Sequence, residues 1–444
     1  MSFISPENVI ASIGRYLQVD VIPIIVDLEK SKGNRIFDAK SGQEFLDCFS
    51  YIATLPIGHN HPKMHDPAFE EKLLRAARVK PSNSDFWTVE LAEFIDCFAR
   101  LAMPSEFRHL FFIEGGTLAV ENGLKVAFDW KVRKNQAKGR SGEVGTKIMH
   151  FQQAFHGRSG YCLSLTNTAD TRKTKLFPKF AWPRVVNPKV FFPLDQKNIE
   201  LAIEAEREAE KQILQAFADH PDDIAAIIIE PIQAEGGDNY FRPEFHELLR
   251  RLTNEYDAML IYDEVQTGGG LTGKMWAYEH YGIVPDIVCF GKKMQVCGIM
   301  AGTRVDEVKQ NVFVEASRLN STWGGGLTDM VRSQRYLEII DEDSLLDNAA
   351  KVGSYLLEQL SSLQNALPEM VSNSRGKGLL CAFDVPSSET RDKLLAECAA
   401  RRVLVLKCGA RSIRLRPSLT FTRSDVDELM AVLQAAVPSV CAAK

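Results

Sequence analysis

The chain has 444 residues, 45% hydrophobic and 25% charged, an ordinary globular composition with length enough for one large domain and a smaller one. Its net charge of −5 and pI near 6.1, with lysines and arginines scattered rather than massed, argue against a nucleic-acid surface. Residues 1–20 lack the pattern of a secretory leader, no apolar run approaches the roughly 20 residues that span a bilayer, and nine cysteines without a C-x-x-C pair suit reduced thiols, so a cytoplasmic protein with a small-molecule ligand and no membrane association is expected.

Residues 36–42 read as a hairpin inside an N-terminal segment, residues 1–60, that is expected to pack with the C-terminal unit. His59-Asn60-His61 suggests a metal pair, but no third ligand stands at a recognisable spacing, and no metal is expected. The apolar runs at residues 110–113, 147–151, 225–229, 259–262 and 287–290 read as strands buried on both faces, as in a parallel sheet. Helices separate them: one through Val120 and Trp130, one carrying Ile199, Ile203, Ile213, Leu214 and Phe217, and one opened by Pro243 and carrying Phe245, Leu248, Leu249 and Leu252. This alternation predicts an open α/β sheet over residues 61–330, and such sheets bind ligands beyond the carboxyl ends of their strands. From about residue 331 to 444 the pattern changes to an amphipathic helix through Val352, Leu356 and Leu360, then Gly376-Lys377-Gly378 and a strand at 379–383, which predicts a separate small α/β domain.

The residues just after the strand runs carry the chemistry. Asp263 ends the run 259–262; a carboxylate there can hold a ring nitrogen protonated, although alone it reads equally as a helix cap. Lys292 follows Gly291 after the run 287–290, and a lysine at that edge becomes a nucleophile if burial and a neighbouring cation depress its pKa; most lysines are simply solvated, and Lys293 stands next to it. Residues 110–117 run from strand through Glu114-Gly115-Gly116-Thr117 into a helix, a turn whose free N–H groups and Thr117 hydroxyl suit a phosphate, though a glycine pair is also a common structural turn. Arg158 in Phe155-His156-Gly157-Arg158 and Arg414 in Ile413-Arg414-Leu415-Arg416 are carboxylate-binding candidates, against the commoner fate of a surface ion pair.

These pieces, together with Glu230-Pro231-Ile232-Gln233-Ala234-Glu235-Gly236-Gly237 and Ser321-Thr322-Trp323-Gly324-Gly325, resemble the class III aminotransferases of pyridoxal-phosphate fold type I from Gly58 to Arg414. The resemblance implies a large domain with a mostly parallel sheet covered by helices and a small C-terminal α/β domain. It implies that pyridoxal 5'-phosphate is carried on Lys292, with Asp263 at its ring nitrogen, Gly116 and Thr117 at the phosphate, Phe155 and Val265 on its two faces and Gln266 near its ring oxygen. Thr322 then reaches the phosphate of a neighbouring subunit, so a homodimer is implied.

Residues 155–167, 263–276, 291–298 and 319–325 are similar to the branch of the class that takes the ε-amine of L-lysine, the 4-aminobutyrate branch being the next relative. No cysteine lies in residues 114–122, so no iron–sulfur cluster is implied. The resemblance gives Arg158 the lysine α-carboxylate, gives Arg414 a carboxylate of 2-oxoglutarate, and makes Glu235 a gate that pairs with Arg414 and swings away. Another ω-amine donor and a non-catalytic phosphate-ligand binding protein are the competing readings.

Overall fold

The computed structural model describes residues 4–19 and 22–441. Seven strands form the central sheet in the order Phe107–Ile113, Cys297–Gly302, Ile287–Phe290, Met259–Asp263, Ile224–Ile229, Lys147–Phe151, Arg184–Val185. Neighbours run parallel except at Cys297–Gly302, which is antiparallel to both of its partners. The mostly parallel sheet expected from the apolar runs is present, and the reversed strand explains why residues 291–296 form a short hairpin connection rather than a helical crossover.

Every residue of Ile224–Ile229, Met259–Asp263 and Ile287–Phe290 is buried. The period-two alternation of a strand divides them between two cores. Ile227, Ile229, Leu260, Tyr262, Val288 and Phe290 pack with Phe94, Phe98, Phe245 and Leu249 on one face. Ile228, Met259, Ile261, Ile287 and Cys289 pack with Val120, Leu124 and Trp130 on the other, under the helix Gly116–Ala137.

The flanking helices follow local chemistry. Pro243 occupies the first turn of Pro243–Glu255, where its missing N–H costs nothing. Asp195 caps Gln196–Asp219 by accepting from the Asn198 N–H at 2.8 Å. The buried stripe of that helix is Ala202, Glu206, Ala209, Ile213 and Phe217, and Leu214 lies outward. Glu206 is tolerated inside because Arg242 Nε and Nη2 donate to its two oxygens at 2.9 and 3.0 Å.

In the C-terminal region, Ser372–Lys377, Leu380–Asp384, Ser412–Leu415 and Leu406–Cys408 form an antiparallel sheet in that order. The N-terminal hairpin Arg35–Phe37 and Glu44–Asp47 joins it through a second small sheet, in which Val403–Leu404 pairs parallel to Glu44–Asp47. No linker falls at residue 330. The helix Leu327–Glu342 runs straight through that position, giving Met330, Val331 and Leu337 to the large core and Tyr336, Ile339 and Ile340 to the core of the C-terminal unit.

The two regions are also joined by charge. Arg416, fully buried, donates through Nη2 to the equally buried Asp238 on the turn that follows Ile224–Ile229. Removing one partner of such a pair strands the other charge in a dry interior. Arg416→Met should therefore lower stability by about 3–5 kcal/mol; thermal and urea denaturation of the purified protein check this, and a change within experimental error refutes it.

Candidate active site

The carboxyl ends of the parallel strands open into a cavity of about 620 Å³, lined among others by Gly116, Thr117, Phe155, His156, Arg158, Glu230, Asp263, Val265, Gln266 and Lys292. Most of the residues singled out in the sequence thus converge on one wall set. Each reaches it for a local reason. Strand Met259–Asp263 ends at Asp263, whose Oδ1 accepts from the Val265 N–H at 3.0 Å, an Asx-type turn that leads the chain over the cavity. Its other oxygen, Oδ2, lies 2.8 Å from His156 Nδ1, and both side chains are buried.

His156, to which the motif reading gave no role, lines the cavity. Its ring fixes the Asp263 carboxylate, while its Nε2 is buried without a hydrogen-bond partner. Glu230 was likewise given no role. Its Oε1 accepts from the Phe155 N–H at 2.9 Å and its Oε2 from the Ala234 N–H at 3.0 Å, tying together two segments of the wall. Burial, with Asp263 adding to it and His156 opposing it, lifts the Glu230 carboxyl to about 7.

The two adjacent lysines separate cleanly. Lys293 Nζ is buried and donates to Ser50 Oγ at 3.2 Å, Leu55 O at 3.2 Å and Pro417 O at 3.3 Å. Lys292, at φ 48°, instead lines the cavity. Its amine is brought down to about 8, first by desolvation and then by the positive charge of Arg414, with Asp263 and Glu230 acting the other way. A neutral amine is therefore accessible near neutrality, as a nucleophile or a proton carrier requires.

At the opposite wall the strand Phe107–Ile113 turns through Gly115, at φ 108°, into the helix Gly116–Ala137. No side chain caps this helix start and no acidic residue lies in its first turn, so its N–H groups are free for an anion. A side chain on Gly116 would come within 2.9 Å of Val265 Cγ1, so the glycine keeps the turn and the Val265 wall in contact. The Thr117 hydroxyl is 2.9 Å from Ser159 Oγ, which in turn donates to Glu121 Oε1 at 2.8 Å. A helix start with free N–H groups, an aromatic wall at Phe155 and an oriented carboxylate at Asp263 together fit a phosphorylated pyridine cofactor.

Three of the predicted residues do not line the cavity. Thr322 is exposed on the loop after Ser321, whose carbonyl accepts from Ser84 Oγ at 2.5 Å. Arg414, buried on Ser412–Leu415, donates through Nη1 to Gln266 Oε1 at 2.9 Å and leaves its Nε unpartnered. Glu235 does not pair with Arg414 as expected. It forms an ion pair with Lys173, because the turn carrying it faces the short helical turn Thr171–Lys173. His59 and His61 also diverge, toward Asp47 at 3.3 Å and Asp343 at 3.4 Å respectively.

The family profile "Aminotransferase class-III" matches residues 16–437. The chain belongs to this family, and with it to the pyridoxal-phosphate-dependent aminotransferases of fold type I. It is 49% identical over 437 residues to the L-lysine-epsilon aminotransferase of Mycobacterium tuberculosis, covering 98% of this chain and 96% of that one. It is 43% identical over 437 residues to the protein of the same name from Streptomyces clavuligerus, covering 98% of this chain and 95% of that one. The solved structure of lysine aminotransferase from M. tuberculosis in its internal aldimine form superposes with a TM-score of 0.96 at 48% identity, over 98% of this chain and all of the other.

The position of the lysines makes a direct prediction. Borohydride treatment of the cofactor-loaded protein should leave the cofactor fixed to the wild type and to Lys293→Met, and Lys292→Ala should lose it, as read by mass spectrometry of the proteolytic peptides. A pH prediction follows from the amine held near 8. Because the folded value lies below the ordinary 10.5, the neutral fraction grows as pH rises through about 8, and the rate of cofactor uptake by the apoprotein should rise over the same interval. Arg414→Met removes a nearby positive charge, so its uptake profile should move to higher pH; an unmoved or downward-shifted profile contradicts this account.

Proposed function

We propose that this aminotransferase moves the ε-amino group of L-lysine to 2-oxoglutarate, giving glutamate and 2-aminoadipate 6-semialdehyde, which cyclises onto its own α-amine. The observation that carries the proposal is the pairing of one exposed cation in the cavity wall, Arg158, with a second cation, Arg414, held behind Gln266. Near-full-length likeness to proteins named for lysine supports the same reading.

Pyridoxal phosphate, when bound, supplies an electron sink for the carbon that loses a proton and carries the amino group from one substrate to the other. The chain's own residues do the rest. Gly116 and Thr117 at the helix start hold the phosphate; Phe155 and Val265 flank the ring. Asp263, oriented by His156 and the Val265 N–H, keeps the ring nitrogen protonated. Lys292 would hold the cofactor, and its amine would take the proton from the terminal carbon of lysine; its depressed pKa makes the neutral amine available for that transfer.

Arg158 holds the α-carboxylate of lysine at the far end of the chain, which leaves the ε-carbon as the reacting atom. A dicarboxylate acceptor needs a second cation, and Arg414 serves it. Thr322, exposed between Ser321 and Trp323, whose carbonyls accept from Ser84 Oγ and the Asn83 N–H, is read as belonging to a second copy's phosphate site in a homodimer. Eight free cysteines among the described residues suit a reducing, cytoplasmic setting.

Amino-donor profiling tests the proposal. With 2-oxoglutarate as acceptor, L-lysine should be turned over with glutamate and a cyclised semialdehyde as products, detected by trapping with 2-aminobenzaldehyde. A preference for 4-aminobutyrate or ornithine over lysine rejects it. Arg158→Ala should raise KM for both lysine and 2-oxoglutarate, by on the order of tenfold or more for each lost charged hydrogen bond.

A further inference from the structure

Glu235 lies on a turn that cannot move as a unit. Its carbonyl accepts from the Gly409 N–H at 2.8 Å, and a side chain on the next residue, Gly236, would meet Gln153 O at 2.2 Å. The turn is closed by the Gln233–Asn239 bridge, and the Gly237 carbonyl accepts from Arg375 Nη2. Any change of partner by Glu235 is therefore a rotation of its side chain alone.

The same anchoring brings Arg414 near. Gly409 is at the tip of the hairpin Leu406–Cys408 and Ser412–Leu415, and Arg414 sits on its second strand, opposite Leu406. A side chain on Gly237 would lie 3.8 Å from Ser412 Oγ, and Arg414 is two residues further along that strand on the same face, roughly 7 Å away. Other carboxylates of this region are committed. Asp238 pairs with Arg416, Asp384 with Arg375, Asp263 faces His156, and Glu230 accepts from the Phe155 and Ala234 N–H groups. Glu235 is thus the carboxylate placed to neutralise Arg414, and in this structure it is on Lys173 instead, with the pair 28% and 19% exposed.

The same lysine ammonium lies 5.9 Å from the centre of the Phe155 ring, so it borders the cavity wall. Two substrates make opposite demands on this group. Lysine brings no second carboxylate to Arg414, and 2-oxoglutarate does. A glutamate leaving Arg414 for open space would lose its partner just as the acceptor arrives, and an alternative cation removes that penalty.

We propose that Lys173 is a specificity-determining positioning residue, the second station of the Glu235 carboxylate, which keeps Arg414 open to a substrate carboxylate. The inference rests on the two-substrate reading above. It assigns acceptor binding to a residue that contacts neither the cofactor nor the reacting atoms, acting by competition between two cations for one carboxylate.

The test compares wild type, Lys173→Met, Lys173→Arg, Glu235→Gln and the Lys173→Met/Glu235→Gln double variant as cofactor-loaded proteins. Glutarate, a dicarboxylate with nothing to react, is titrated by calorimetry, and KM is measured separately for lysine and 2-oxoglutarate. Lys173→Met should weaken glutarate binding and raise KM for 2-oxoglutarate by on the order of fivefold, the scale of one partly exposed ion pair, with KM for lysine unchanged or lower. Lys173→Arg should restore wild-type values. In the Glu235→Gln background the Lys173→Met change should have no effect.

Equal changes for both substrates, no change in glutarate binding, or simple additivity in the double variant would overturn the proposal. The glutarate arm needs no turnover, so it decides the role of Lys173 by itself. A wild type that binds glutarate but does not convert lysine removes the lysine reading instead.

Discussion

The site depends on one reversal of the chain. Strand Ile287–Phe290 must turn back at once into the antiparallel neighbour Cys297–Gly302, with Phe290 paired to Gly298, and it does so through left-handed conformations at Lys292 and Gln295. For residues other than glycine this conformation costs about 1–2 kcal/mol each, and it persists where the surroundings over-determine it. Lys293 supplies much of that constraint. Its ammonium is shared among Ser50, Leu55 and Pro417, so the reversal is pinned to the N-terminal segment and to the C-terminal strand end together. With Lys293 turned that way, Lys292 is the lysine left on the cavity side.

A second strained element meets the first. Ser50, Tyr51, Ile52 and Ala53 all have positive φ, a left-handed turn made without glycine. Asp47 Oδ1 accepts from the N–H groups of Phe49 and Ser50 at 3.0 and 2.8 Å, and Ser50 Oγ donates to Arg416 O at 2.6 Å while accepting from Lys293. The turn delivers Thr54 to the cavity wall, where its carbonyl accepts from Gln295 Nε2. Two strained turns, each unfavourable alone, thus share one buried lysine and the Arg416 strand end, and the residues they present both line the site. Backbone strain concentrated at the functional edge, and compensated by buried polar contacts, is the pattern expected of a preorganised site.

How much of this was legible in the sequence follows from how local each feature is. The strand runs were readable because strands buried on both faces must be apolar throughout, and the residues ending them, Asp263, Lys292 and Gly116, inherit their place from strand direction alone. The left-handed turn at Ser50–Ala53 gave no signal, since Ser-Tyr-Ile-Ala contains none of the residues that mark positive φ. His156 was in view within its motif, but its task is set by Asp263, 107 residues away. The expected boundary at 330 is marked by no linker because Leu327–Glu342 is a single amphipathic helix with apolar residues for two cores, and periodicity does not say which core a residue enters. The Glu235 pairing differs for a related reason: its partner, Lys173, stands 62 residues away in a polar loop.

The proposed competition between Lys173 and Arg414 for Glu235 bears on Lys292. The Lys292 amine is lowered by burial and by Arg414, and is raised by Asp263 and Glu230. Asp263 is fixed by His156 and the Val265 N–H, so beyond desolvation, the largest cause, the depression draws on Arg414 keeping its charge uncompensated. With Glu235 on Lys173 that condition is met. With Glu235 on Arg414 the arginine's field at Lys292 is partly cancelled, and the protonated form of the free amine gains. On the proposed two-station reading, the position of one carboxylate would shift two quantities at once, the affinity for a second substrate carboxylate and the proton affinity of the Lys292 amine. A group that arrives with its own carboxylate, as a dicarboxylate acceptor does, cancels the same field from the cavity side. Under the proposed function, acceptor binding and Lys292 protonation would in this way be linked through Arg414, with no motion of the backbone.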